Sequence, residues 1–199
     1  MFNKSKFCFI IIPFLLAATA AGQDSPEPVF VGSKACAECH GGKEMGYQYS
    51  KWLLSRHSTA YAVLAKDGAK TIAELSGITE EPQKAAMCLG CHATAAEAEE
   101  WEMDPEFRIE DGVQCEKCHG AGSEYMPAEI MRDREAAMMA GLKMPIVDDC
   151  MVCHIEKGSH VAVHDLPALD ISEAWVRIAH PTPAGNAAEA YAPPPAPVP

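Results

Sequence analysis

Aromatic side chains are scarce, at 7% of the 199 residues, and basic side chains are outnumbered, 16 against 28 acids. The formal charge of −12 argues against a nucleic-acid partner, because phosphate backbones repel so acidic a surface. Beyond the N-terminal stretch the chain lacks any apolar run long enough to cross a bilayer. It also lacks, beyond Cys8, any cysteine that stands alone. Charged residues at 22% and apolar residues at 48% give an ordinary globular balance, not that of a disordered acidic chain. The length fits one domain or two small ones.

The first twenty residues read as a secretory signal peptide. Lys4 and Lys6 give a basic start, an apolar run follows from Phe7 to Ala18, and Ala18-Thr19-Ala20 fits the small-x-small cleavage rule. A membrane anchor is the alternative, but the run is short for a span of about 20 residues and has no basic flank after it. No cysteine directly follows the cleavage site, so a lipoprotein anchor has no support. The expected organisation is a signal peptide over 1–20, one domain over 21–180, and a Pro-rich, extended or disordered tail over 181–199 ending APPPAPVP. The mature protein is expected in the periplasm or outside the cell, with no stable membrane span.

The remaining eight cysteines form four C-x-x-C pairs: Cys36/Cys39, Cys88/Cys91, Cys115/Cys118 and Cys150/Cys153. Histidine follows each pair at once, as His40, His92, His119 and His154. C-x-x-C-H is the attachment motif of c-type haem. Two thiols at this spacing reach the two vinyl groups on one porphyrin edge, and the adjacent imidazole reaches the iron as proximal ligand. Zinc ribbons use C-x-x-C pairs too, but zinc does not require histidine after every second cysteine. A secreted disulfide framework would not confine all its cysteines to such pairs, and a thioredoxin-like dithiol would occur once. Four such histidines by chance have a probability of roughly a few in a million. Four covalent haem c groups would leave about 45 residues for each, too few to wrap each separately. The haems are therefore expected to pack closely and form much of the interior.

A haem iron has a second axial position. Four histidines lie outside the motifs: His57, His160, His164 and His180. His57 falls on an apolar stripe in a predicted helix over Glu44–Ala65, with Trp52, Leu53, Tyr61 and Leu64. His180 ends a predicted helix over Ser172–Ala179 that Ser172 would cap and Pro181 would stop. Of His160 and His164, at least one is expected to ligate. Their four-residue spacing would share one helical face, but the intervening Val161-Ala162-Val163 disfavours a helix. A further predicted helix over Ser123–Met144 carries methionines, of which Met131 is the best candidate ligand; packing is the competing role. Glu97–Asp111 holds eight acids against Arg108 and reads as a solvated face or a docking face for a basic redox partner.

These residues resemble the tetrahaem cytochrome c-554 family from about Phe30 to Pro181. The marks are VGSKACAECH at 31–40, KWLLSRHSTA at 51–60, GVQCEKCHGAGSEY at 112–125 and AWVRIAH at 174–180. The resemblance implies a mainly α, loop-rich multihaem cytochrome c, with short helices wrapped around four closely packed covalent haems. By position, His57 looks like the distal ligand of the fourth haem (His154), and His180 that of the third (His119). The family type has a histidine soon after the third motif that serves the first haem, whereas Glu124–Leu142 contains none. That leaves Met131, a downstream histidine, a neighbouring subunit or nothing for the first haem. The family type also leaves its second haem five-coordinate; here His160 or His164 could reach that iron.

The expected function is an electron-transfer protein passing single electrons between redox proteins, with oligomerisation open. The alternative is a haem redox enzyme acting on a small nitrogen oxide or peroxide at a five-coordinate iron. The third class is a subunit of a conducting cytochrome polymer.

Overall fold

A computed structural model describes residues 27–164 and 169–180. The expected signal peptide and tail therefore lie outside the described residues. Ten short α-helices and five 3₁₀ turns are joined by loops, and the described residues contain no strand. A single parallel bridge, Phe30 to Met103, is the only extended pairing among them. The fold is mainly helical and loop-rich, as expected.

The helices are α1 Ser33–His40, α2 Gln48–Leu53, α3 Asp67–Leu75, α4 Ala86–His92 and α5 Cys115–His119. They continue with α6 Ala128–Met131, α7 Arg134–Met139, α8 Val147–Met151, α9 Gly158–Val163 and α10 Ile171–Ile178. Most are too short to be stable alone in water, so tertiary contacts must hold them. Local signals set several of their ends. Asp133 caps α7 by accepting the Glu135 and Ala136 amides, and Asp170 caps α10 by accepting the Glu173 amide. Gly77 and Gly141, both at positive φ, close α3 and α7 with paired carbonyl captures: Ile78 to Ala73, and Leu142 to Ala137, each at 2.9 Å.

Four predicted boundaries differ, the first at α10, where Asp170 and not Ser172 is the cap. Glu44–Ala65 is not one helix but α2 flanked by 3₁₀ turns at Lys43–Met45, His57–Thr59 and Ala62–Ala65. Ser58 explains one break, since its hydroxyl donates to the Leu53 and Ser55 carbonyls and competes with the helical ladder. Ser123–Met144 resolves into α6 and α7, because Asp133 starts a new helix rather than continuing the old one. Conversely Val161-Ala162-Val163 is helical, as part of α9, which packs on α3. The β-branched preference is overridden by that packing.

The protein interior is thin. Fully buried apolar side chains among the described residues are Trp52, Leu64, Ile72, Leu89, Val113 and Tyr125, together with four alanines. Leu64, Leu89 and Ala93 form the one apolar cluster, with Tyr61 and Ile109 against it. Meanwhile Leu54 is 88% exposed and Met139 79%. A chain of this size that buried only these groups would gain little hydrophobic stabilisation.

What the interior has instead is a buried polar clasp. Glu116, 2% exposed, accepts the amides of Val31, Gly32 and Gly122, each at 2.8 Å. Gln114 accepts the Ser33 amide at 2.7 Å and donates to the Arg108 carbonyl at 2.8 Å. The Ser33 hydroxyl donates to Asp111 at 3.0 Å. This clasp ties the start of α1 to α5. A single polar network thereby fixes the first motif against the third.

Candidate haem-attachment site

The helical turn explains how each C-x-x-C-H motif presents its side chains. Residues i, i+3 and i+4 share one face of a helix, so both thiols and the imidazole point the same way. α1, α4 and α5 each end on their motif histidine, His40, His92 and His119. Cys150 lies in α8, and the turn continues through the His154 amide donating to the Cys150 carbonyl at 3.0 Å. None of the eight cysteines is in a disulfide. Among the described residues no three His, Cys, Asp or Glu side chains converge as they would around a bare metal ion.

Three of the four motif imidazoles face a second imidazole. His57 lies opposite His154 with ring centres 5.9 Å apart, His160 opposite His92 at 6.5 Å, and His180 opposite His119 at 6.0 Å. A metal–imidazole bond is about 2.0–2.1 Å, and each ring centre lies ~1.1 Å behind its nitrogen, so two imidazoles on one iron stand roughly 6.3 Å apart. All three pairs match that separation.

The second nitrogen of the motif rings is also accounted for. His92 Nδ1 donates to the Ala60 carbonyl and His119 Nδ1 to the Lys143 carbonyl, both at 2.9 Å. His40 Nδ1 donates to Gln48 Oε1. Such bonds fix the tautomer and direct Nε2 toward a metal. Burial, the first cause in each case, holds His57, His119, His154 and His160 below the usual imidazole range. The neutral ring is the form that ligates. Trp175 adds a further sign: its indole N–H is buried with no acceptor, one turn and a residue before His180. An indole nitrogen can only donate, so a bound group carrying acceptors such as haem carboxylates would satisfy it. The residues present fit covalent haem.

The chain positions the facing histidines by backbone contacts. Trp52 Nε1 donates to the Val113 carbonyl at 2.7 Å, and the Val113 amide donates to the His57 carbonyl at 3.0 Å. Gly112 sits at φ +76°, and a Cβ there would lie 2.6 Å from the His57 carbonyl oxygen. Glycine is required by both the conformation and the approach. α9 brings His160 in by packing on α3, where the missing side chain of Gly68 faces Val163 and His164. Behind α7, Lys143 clamps His119 at both its ring and its carbonyl, the latter through the Lys143 amide at 2.9 Å.

The thiols also order the motifs. The Cys36 thiol lies near Cys115, and the Cys153 thiol lies near Cys91, with its Sγ 4.0 Å from the Gly90 carbonyl oxygen. Cys118 lies within electrostatic reach of Cys150, and burial pushes its thiol up to about 11. The third motif therefore lies beside the first and the fourth, and it also touches the second, where Lys117 Nζ donates to the Gly90 carbonyl at 2.9 Å.

The remaining candidates fall outside the pairs. His164 packs toward α3, with Cε1 3.4 Å from where a Gly68 Cβ would stand, and does not face a motif ring. Met131 closes α6 and is half-buried. The acidic stretch places Trp101 and several carboxylates at the surface. Sequence reasoning missed Glu116 and Gln114; only their place inside and beside the third motif could have flagged them.

A C-x-x-C-H helix whose histidine is held at Nδ1 and opposed by a second imidazole defines a c-type cytochrome. Residues 35–120 match the family model for cytochrome c554 and c-prime, a stretch that includes the first three motifs. Over that stretch the chain is similar to the cytochrome c554 family. Neither the curated proteins nor the solved structures gave a match.

Proposed function

We propose that this cytochrome is an exported, tetrahaem electron carrier. Cys36/Cys39, Cys88/Cys91, Cys115/Cys118 and Cys150/Cys153 would each bind one haem c through thioethers, with His40, His92, His119 and His154 as proximal ligands. His160, His180 and His57 would be the distal ligands of the second, third and fourth irons. The observation that carries this reading is the iron-spanning separation of the three imidazole pairs. Haem supplies reversible one-electron chemistry, and iron saturated by two histidines exchanges electrons without binding substrate. The role of the chain is to fix tautomers, hold ring pairs apart at that distance and set the motifs beside one another.

Export follows from the N-terminal sequence and from the site where covalent haem attachment takes place, outside the bacterial cytoplasm. No helix among the described residues is long and apolar enough to cross a membrane. The partners are redox proteins, and the acidic stretch Glu97–Asp111 favours a basic one.

The test is the mass of the purified mature protein together with a redox titration. Removal of residues 1–20, four added haem masses and reversible one-electron steps are expected. Fewer than four haems, or motif cysteines recovered as free thiols, would sink the reading.

A further inference from the structure

All eight histidines of the chain lie among the described residues, so the imidazole supply can be fully assigned. Six are taken by the three facing pairs. Two remain, His40 and His164. His164 packs against α3 at Gly68, and it is not a member of any of the three ring pairs. His40 has its Nδ1 engaged by Gln48, a buried residue of α2, which leaves Nε2 as its ligating atom. No other imidazole faces it. The family type leaves its second haem five-coordinate, but here His160 stands opposite His92.

The first motif also packs beside the third, through contacts between α1 and α5. Its thiol neighbour is Cys115 of the third motif, and His40 acts electrostatically on His119. The other side is open to solvent. Cys39 is exposed, and a Cβ on Gly42, two residues beyond His40, would meet nothing within 4 Å. We propose that the iron at His40 keeps an open sixth position, on the solvent-facing side of the first motif, where it binds a small ligand with a single donor atom. This rests on the haem reading above. It adds a ligand-binding site to a carrier and places that site at the first motif rather than the second.

Carbon monoxide is the probe, since it coordinates an open ferrous haem. Holoprotein reduced with dithionite is expected to bind one carbon monoxide per chain. His160→Ala should bind two, because the second iron is then opened as well. Cys36→Ser with Cys39→Ser should carry three haems and bind none, and this second variant keeps the test available if the first does not mature. Wild type that carries four haems and binds no carbon monoxide would overturn the proposal. Uptake that then appears in Met131→Ala or His164→Ala would name the residue closing the first iron. One equivalent in both wild type and His160→Ala would overturn it too, by placing the open iron at the second motif. Haem content is read by mass on the same samples, so a chain with fewer than four haems would count against the haem reading instead.

Discussion

At the scale of single residues, two residues that are neither cysteine nor histidine decide how motifs and facing rings meet. Gly112 lets residues 112–113 grip the His57 carbonyl. Gly112→Ala places a methyl against that oxygen in a left-handed conformation, at a cost of about 1–3 kcal/mol. A lower melting temperature is expected, with a new high-spin ferric signal as His57 withdraws from the fourth iron. An unchanged spectrum would show that the grip does not position His57. Glu116 is the second. Glu116→Gln puts an NH₂ group where Glu116 accepts the Gly32 amide, and one buried donor left unmet costs about 1–3 kcal/mol. A denaturant midpoint measures it. Burial, the larger effect, raises the Glu116 carboxyl above the usual range, against three amide donors that lower it. Its folded value thus exceeds the unfolded one. The stability from its bound proton is present below the ordinary carboxylate value and is lost as pH rises through the raised one. The wild-type curve should carry that slope relative to Glu116→Gln.

At the scale of elements, helices deliver ligands and their caps set the delivery. Asp170→Ala removes the cap of α10 and costs about 1 kcal/mol. The helix carries Trp175 and leads to His180, so the expected result is faster hydrogen exchange at 171–178 with four haems retained. Protection equal to wild type would show that contacts with the third haem alone hold α10. The motif helices were legible in the sequence because covalent chemistry demands their spacing. His57 and His180 were legible as candidates to face a motif ring, because few histidines lie outside the motifs. The choice between His160 and His164 was not, since both lie within one turn of α9 and only its packing on α3 separates them. The two long predicted helices were overcalled, because apolar spacing cannot register where Ser58 or Asp133 diverts the backbone. The Glu116 clasp was invisible for a related reason. A charged residue between two cysteines reads as exposed, and only the fold supplies three amides to it.

At the scale of the whole molecule, the small apolar core is the telling feature. A mainly helical chain with four covalent haems would bury its exposed leucines and methionines against porphyrin rather than against protein. Chain produced without haem attachment should therefore lack a cooperative unfolding transition, while the holoprotein shows one. A cooperative melt of the haem-free chain would show that the protein core suffices. The central claim is that three irons sit between histidine pairs. Near-infrared magnetic circular dichroism of the oxidised holoprotein tests it most directly, because it separates bis-histidine from histidine–methionine haem and from high-spin haem. Three bis-histidine haems and one high-spin haem per chain are expected. A histidine–methionine signal, or fewer than three bis-histidine haems, would contradict the account.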